Sequence, residues 1–158
     1  MQIRPGTRAD TPVLAAVFTE SIHGLGPQRY TKDQLTAWAP LEPDLALWHE
    51  RLEGLDILVA EEADQVAGFT GFTAQGYINF LFVRSDFARR GIARALLRAA
   101  EARATAAGAA MLTTEASLVA RPAFESEGYE VVEEQVVERG GVELIRFAMR
   151  KPLVPVKG

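Results

Sequence analysis

The chain has no cysteine among its 158 residues, which removes disulfides, thiolate metal sites and a cysteine nucleophile together. Histidine is nearly as scarce. His23 and His49 are the two present, too few and too scattered for a metal site. No apolar run approaches the ~20 residues of a membrane span. The N-terminal Met1-Gln2-Ile3-Arg4-Pro5 also lacks the basic-then-apolar pattern of a secretory leader. Excess positive charge is missing too. The net charge of −4 argues against a general nucleic-acid binder, whose affinity comes mostly from neutralising phosphates. These absences predict a cytoplasmic protein with no metal, no nucleic-acid partner and no membrane partner.

The residues that are present have the composition of a soluble globular protein, about half apolar and about a quarter charged. The length fits one domain over 1–158. No repeat, linker or low-complexity segment divides it. Gln2-Ile3-Arg4 reads as a first strand. Asp10 reads as an N-cap with Pro12 in the first turn, ahead of Val13, Leu14, Val17, Phe18 and Ile22 at helical spacing. Gly24, Gly26 and Pro27 end that helix. Thr31 caps a second, with Gln34 at the capping-box position, and Asp44 to Leu52 reads as a third.

From Asp56 the pattern changes to strands: Ile57 to Ala60, Gln65 to Thr73 and Tyr77 to Val83, an antiparallel meander. Gly68 and Gly71 predict a bulge or a close backbone approach. Ile92 to Ala107 is an amphipathic helix with Gly108 as its terminator. The strand Met111 to Glu115 follows, parallel to the one before the helix. A short helix from Ala120 to Glu127 comes next. A hairpin then runs from Tyr129 to Val137 and Val142 to Met149 about Arg139-Gly140-Gly141. Residues 151–158, with Pro152 and Pro155, read as a frayed tail.

The most informative stretch runs from Phe80 to Leu97. An apolar strand enters a short loop with Arg89, Arg90 and Gly91, and the loop opens directly into a helix. Free backbone N–H groups, the positive end of a helix dipole and cationic side chains converge there. A pyrophosphate suits such a place. The loop is neither a GxGxxG dinucleotide turn nor a GxxxxGK(S/T) phosphate loop, which favours a coenzyme diphosphate over NAD or ATP. The plain alternative for Arg89 and Arg90 is an ordinary solvated charge pair.

The order of elements, together with Arg89-Arg90-Gly91-Ile92-Ala93, resembles the GNAT superfamily of acetyl-CoA-dependent N-acetyltransferases. Tyr30 to Pro40 and Thr113-Thr114-Glu115-Ala116-Ser117 resemble its bacterial YafP-type branch. The resemblance implies an α/β (α+β) GNAT fold, with a mixed, mostly antiparallel sheet flanked by helices. It implies acetyl-CoA as cosubstrate and acetyl transfer to a primary amine, a small molecule rather than a protein. A non-catalytic acyl-CoA-binding or sensing protein on the same scaffold is the alternative. A homodimer is common in the family.

The family's pyrophosphate motif is Gln or Arg, two variable residues, Gly, one variable residue, then Gly or Ala. It maps onto Ala88 to Ala93, and Ala88 departs from it. The resemblance assigns coenzyme binding to Arg89, Arg90, Gly91, Ile92, Ala93 and Arg94, and to the main chain of Leu81, Phe82 and Val83. Phe82 or Val83 would supply the oxyanion N–H. Relatives often carry a tyrosine general acid four residues before the glycine after the last short helix. Here that position is Phe124, which cannot donate a proton.

Glu115, at the end of the strand lining the cleft, is the candidate general base. Its competing reading is a solvated strand end or a cap for the following helix. Tyr30 is the second catalytic candidate. Trp38, Asn79 and Ser117 are candidate acceptor contacts, with Ser117 standing where relatives often have asparagine. Tyr30 and Trp38 read equally well as half-buried packing aromatics, and Asn79 as a residue facing solvent on the sheet or satisfying a bulge. His23 has the right pKa range for a base, but a surface histidine at a helix end is the plainer reading.

Overall fold

The structure, a computed structural model, describes residues 1–153. Strand β1 (Gln2–Pro5) leads into helix α1 (Thr11–Leu25), whose first turn holds Pro12. Asp10 does precede this helix, but its carboxylate does not cap it, contrary to expectation. It turns back to accept two 2.9 Å bonds from the Arg4 guanidinium and one of 2.7 Å from the Thr7 N–H. The Arg4 bonds hold its pKa below the usual carboxylate value. Helix α2 (Lys32–Trp38) carries the full capping box, with Thr31 Oγ1 accepting from the Gln34 N–H and Gln34 Oε1 accepting from the Thr31 N–H. Helix α3 (Leu45–Leu52) is capped by Asp44.

Strands β2 (Asp56–Glu62), β3 (Gln65–Phe72) and β4 (Tyr77–Val83) form the expected antiparallel meander, with β1 beside β2. Helix α4 (Ile92–Ala106) crosses over to β5 (Met111–Ser117), which is parallel to β4. After α5 (Arg121–Ser126), the strands β6 (Glu130–Arg139) and β7 (Val142–Pro152) make the hairpin. Gly140 and Gly141, at φ +55° and +79°, turn it. The sheet has seven strands in the order β1-β2-β3-β4-β5-β7-β6. It is a mixed, mostly antiparallel sheet flanked by helices.

The frayed tail needs correction where it is described. Lys151 pairs with Leu112 and Pro152 with Met111, and Leu153 is buried, its N–H donating to the Ala110 carbonyl at 2.9 Å. Residues 154–158, with Pro155, lie outside the described residues.

Each face of the sheet has its own core. Ile78, Leu81, Leu112 and Ala116 pack with Leu96, Leu97 and Ala100 of α4 and with Phe124. On the opposite face Val59, Phe69 and Phe80 pack with Leu14, Val17 and Phe18 of α1, and with Leu35 and Trp48. Burying each such large side chain stabilises by roughly 1.5–3 kcal/mol.

The alternation along β4 is broken once. Gly71 lies opposite Phe80 but Phe72 lies opposite Ile78, so Asn79 is an extra, bulged residue. The bulge reading of Asn79 and Gly71 therefore holds. Gly68 meets the other expectation, since a Cβ there would lie 2.8 Å from the Phe82 carbonyl oxygen.

Candidate active site

Strands β4 and β5 pair at Tyr77–Thr113 and Ile78–Thr114, yet β4 runs on to Val83 and β5 to Ser117. A wedge opens where the pairing stops. Beyond the bulge, β4 remains bonded to β3, and the Arg84 N–H to Ala67 carbonyl bond of 2.8 Å fixes the alternation. Counting back in twos, Phe82 directs its main-chain groups to β3, while those of Leu81 and Val83 face the wedge. Of the two expected oxyanion donors, Val83 is thus correctly turned and Phe82 is not. The Phe82 ring instead lines a cavity on the α1 face of the sheet.

The loop at the wedge mouth is anchored first. Ser85 donates from its N–H and its Oγ to the Glu20 carboxylate of α1, at 2.6 and 2.5 Å, and Phe87 is buried. Arg89 and Gly91 then take left-handed backbone angles, φ +63° and +80°. For a residue with a side chain this costs roughly 1–2 kcal/mol, so Arg89 is held there by its surroundings. In α4 the Ala95 N–H bonds the Gly91 carbonyl at 3.0 Å, leaving the N–H groups of Ile92, Ala93 and Arg94 without intrahelical acceptors. A Cβ at Gly91 would meet nothing within 4 Å. Its backbone angle demands glycine, and the space outside it is open.

The cationic side chains there differ in state. Arg90 lies over the Phe87 ring at 5.1 Å. Arg94 shares Glu127 with Arg98, at 3.4 and 2.9 Å, so its charge is already engaged. Arg89 is exposed and makes no ion pair among the described residues. The Ile92 side chain is buried in the core, which leaves its N–H as the group it offers.

On the α1 face, side chains line a cavity of about 330 Å³ that is open to solvent on one side. Glu115 and Ser117 reach it from β5, and Tyr77, Asn79, Phe80 and Phe82 from β4. The bulge allows the consecutive Asn79 and Phe80 to line the same space. Trp38 stands against it, edge-on to Tyr30 at 5.5 Å and to Phe18 at 6.3 Å. The Tyr77 hydroxyl donates to Glu115 Oε2 at 2.7 Å. Burial, and then the Glu115 carboxylate, push the Tyr77 pKa up to about 12. Tyr77 therefore keeps its proton and fixes the carboxylate.

Two expected site residues have different employment. The Tyr30 hydroxyl donates to the Ile145 carbonyl at 2.9 Å and accepts from the Leu118 N–H at 2.8 Å. With both capacities used and its pKa raised by burial, it is a clamp between the α2 region, β5 and β7 rather than an acid or base. Ser117 Oγ accepts from the Ala120 N–H at 3.0 Å, stabilising the turn into α5. His23 lies outside the cavity, with Nε2 2.7 Å from the Ala39 carbonyl oxygen. Phe124 is buried against Tyr129 at 5.0 Å.

Sequence reasoning missed Tyr77. Its contact with Glu115 is diagonal across the parallel pair, since Tyr77 faces Thr113 two residues earlier. That register is not legible in one sequence. It also missed Arg51, Arg139 and Arg146, which line the same cavity from α3, β6 and β7. Among the described residues there is no metal-type cluster of three or more His, Cys, Asp or Glu. No described helix is long and apolar enough to cross a membrane.

Comparison with known proteins agrees with this geometry. Residues 27–151 match the acetyltransferase (GNAT) domain model. The chain is 34% identical over 150 residues to the uncharacterized N-acetyltransferase YafP of Escherichia coli (strain K12), covering 95% of each. It superposes on a GCN5-related N-acetyltransferase of Rhodopseudomonas palustris with a TM-score of 0.91, at 33% identity over 96% of this chain and 95% of that one. The PaiA N-acetyltransferase of Thermoplasma acidophilum, in complex with coenzyme A, shares the fold at a TM-score of 0.73 and 17% identity, over 96% and 98% of the two chains.

Proposed function

The chain belongs to the GNAT acetyltransferase family, and from that premise we propose that it carries acetyl from acetyl-CoA to the primary amine of a small molecule. The transfer is by direct attack, with no covalent enzyme intermediate. The observation that carries this reading is the Tyr77–Glu115 pair, held at 2.7 Å in a cavity that opens to solvent beside the β4–β5 wedge.

The residues present fit acetyl-CoA. The N–H groups of Ile92, Ala93 and Arg94 and the charge of Arg89, unpaired among the described residues, suit a pyrophosphate, as does the open space at Gly91. Ala88 removes a side-chain contact but none of these backbone donors. The main chain of Leu81 and Val83 suits the amide-bearing arm. Bound there, acetyl-CoA supplies an activated thioester, and this chain supplies the rest. Glu115 takes a proton from the acceptor ammonium, directly or through water, while Tyr77 holds its second oxygen in place. A main-chain N–H facing the wedge, that of Val83 or Leu81, stabilises charge on the acetyl oxygen. Asn79 orients the acceptor or its water, and Trp38 with Phe18 walls it. Phe124 takes no part in proton transfer, and the departing thiolate is protonated from solvent.

Residues 1–158 act as a single acetyltransferase domain in the cytoplasm. The exposed Val131, Val132 and Val136 of β6 support a homodimer through the hairpin, which sedimentation at several concentrations tests.

The decisive experiment follows thiol release from acetyl-CoA with a panel of small amines and of peptides. Turnover on small amines, with an acid limb of the pH–rate profile that disappears in Glu115→Gln, is expected. Turnover restricted to peptides would overturn the acceptor class. An unchanged acid limb would remove Glu115 as base. Acetyl-CoA binding without turnover on any amine would favour the non-catalytic alternative.

A further inference from the structure

The charge in the acceptor cavity is unbalanced in a way that an amine alone does not explain. Glu115 is the lone carboxylate in its lining, against Arg51, Arg139 and Arg146. Three guanidiniums would repel an acceptor that carried only an ammonium. The cations fall into two places. Arg146 sits on β7 opposite Ser117 and acts on Tyr77, at the Glu115 end, with its Nε tied to Gln135 Oε1 at 2.8 Å.

Arg51 and Arg139 form the other place. The Arg51 guanidinium lies over the rings of Trp48, Phe80 and Phe18, at 4.6, 5.0 and 5.6 Å. It is therefore positioned by aromatic faces and not by a carboxylate. Arg139, at the end of β6, donates to the Glu138 carbonyl at 3.3 Å. Neither residue joins an ion pair among the described residues. Burial and then the charge of Arg139 lower the Arg51 pKa. Guanidinium forks match carboxylate oxygens in geometry as well as charge.

We propose that the acceptor is an α-amino acid, with its amine at Glu115 and its carboxylate held by Arg51 and Arg139. The cavity of about 330 Å³ is then a dipolar one matched to a zwitterion, and its aromatic wall favours an apolar side chain. This inference rests on the acetyl-transfer reading above for its chemistry, but its binding half is independent of turnover.

The test uses the full chain saturated with CoA for calorimetry, and with acetyl-CoA for turnover. The probes are L-methionine, L-leucine and L-phenylalanine, each against its own carboxamide, with O-phosphoethanolamine against ethanolamine as a phosphate arm. Charged hydrogen bonds of this kind predict that each acid binds and turns over about tenfold or more better than its amide. That ratio is expected to fall toward one in both Arg51→Gln and Arg139→Gln. Arg139 is exposed at the hairpin end, so its variant remains informative if Arg51→Gln fails to fold.

Acids and amides alike in both binding and turnover would overturn the proposal. So would a phosphate-bearing amine preferred over every amino acid. Amides turned over as well as acids would leave acetyl transfer standing and remove the amino-acid assignment. Acids bound in preference to amides, with no turnover of either, would uphold the anion subsite and remove the transfer chemistry.

Discussion

The proposed coenzyme end of the site is drawn from one stretch of chain, Leu81 to Arg94, whereas the proposed acceptor end gathers side chains from Phe18 to Arg146. The first works through backbone: left-handed turns at Arg89 and Gly91, unbonded N–H groups at the start of α4, and main chain facing a wedge. The second works through side chains that the sheet and three helices bring together. A backbone site tolerates many substitutions as long as its dihedrals survive, which is how Ala88 can replace a polar residue. A side-chain site changes its ligand with each residue. The two ends should therefore break in different ways.

The largest effect is expected at the backbone end. Gly91→Glu imposes a side chain on φ +80° and adds a carboxylate where a phosphate would lie. Acetyl-CoA affinity should fall more than about a hundredfold, with folding retained at a cost of roughly 1–2 kcal/mol of backbone strain, since a Cβ there meets nothing within 4 Å. Calorimetry checks it, and unchanged affinity in the folded variant would remove the loop from the coenzyme site. Glu115→Gln should do the reverse, lowering turnover about a hundredfold or more while acetyl-CoA affinity stays within about twofold.

Tyr30→Phe probes the clamp. It strips partners from the Leu118 N–H and the Ile145 carbonyl, and should destabilise by about 1–3 kcal/mol. Thermal melting reads the loss. The shape of the pH–rate profile should not move, and a shift in it would restore Tyr30 as a proton carrier.

A smaller effect is expected from Tyr77 at high pH. Its pKa is raised from 10.0 to about 12, so the folded chain holds this proton more tightly than the unfolded one. The associated stability is present below pH 10 and is lost as pH climbs through about 12. Denaturation between these limits should be less pH-dependent in Tyr77→Phe. The smallest effect belongs to Phe124→Leu, which trims core packing and should cost under about 1.5 kcal/mol. A turnover defect far beyond that loss would give Phe124 a role in the chemistry.

The same contrast explains what the sequence could reveal. Capping boxes, glycine turns and the Arg90-Gly91-Ile92-Ala93 loop are local, and the helices, strands and coenzyme loop follow from them. Asp10 occupies the N-cap position that the sequence predicts, but its carboxylate turns to Arg4, which β1 places beside it and which local propensity does not anticipate. Lys151 and Pro152 look like tail in the sequence alone because their pairing with β5 is a long-range register. Glu115 was legible as a carboxylate at a strand end. Tyr77 was not, since the two meet only through the β4–β5 pairing. Arg51 and Arg139 are invisible for the same reason, lying on α3 and β6, 88 positions apart.

The most direct measurement is a calorimetric titration of the purified chain with acetyl-CoA, with CoA and ATP as comparisons. Binding of acetyl-CoA and CoA but not ATP is the expected result, and Gly91→Glu should abolish it. No binding of either coenzyme would reduce the Arg89–Gly91 loop to a helix start and contradict acetyl transfer from acetyl-CoA at this site.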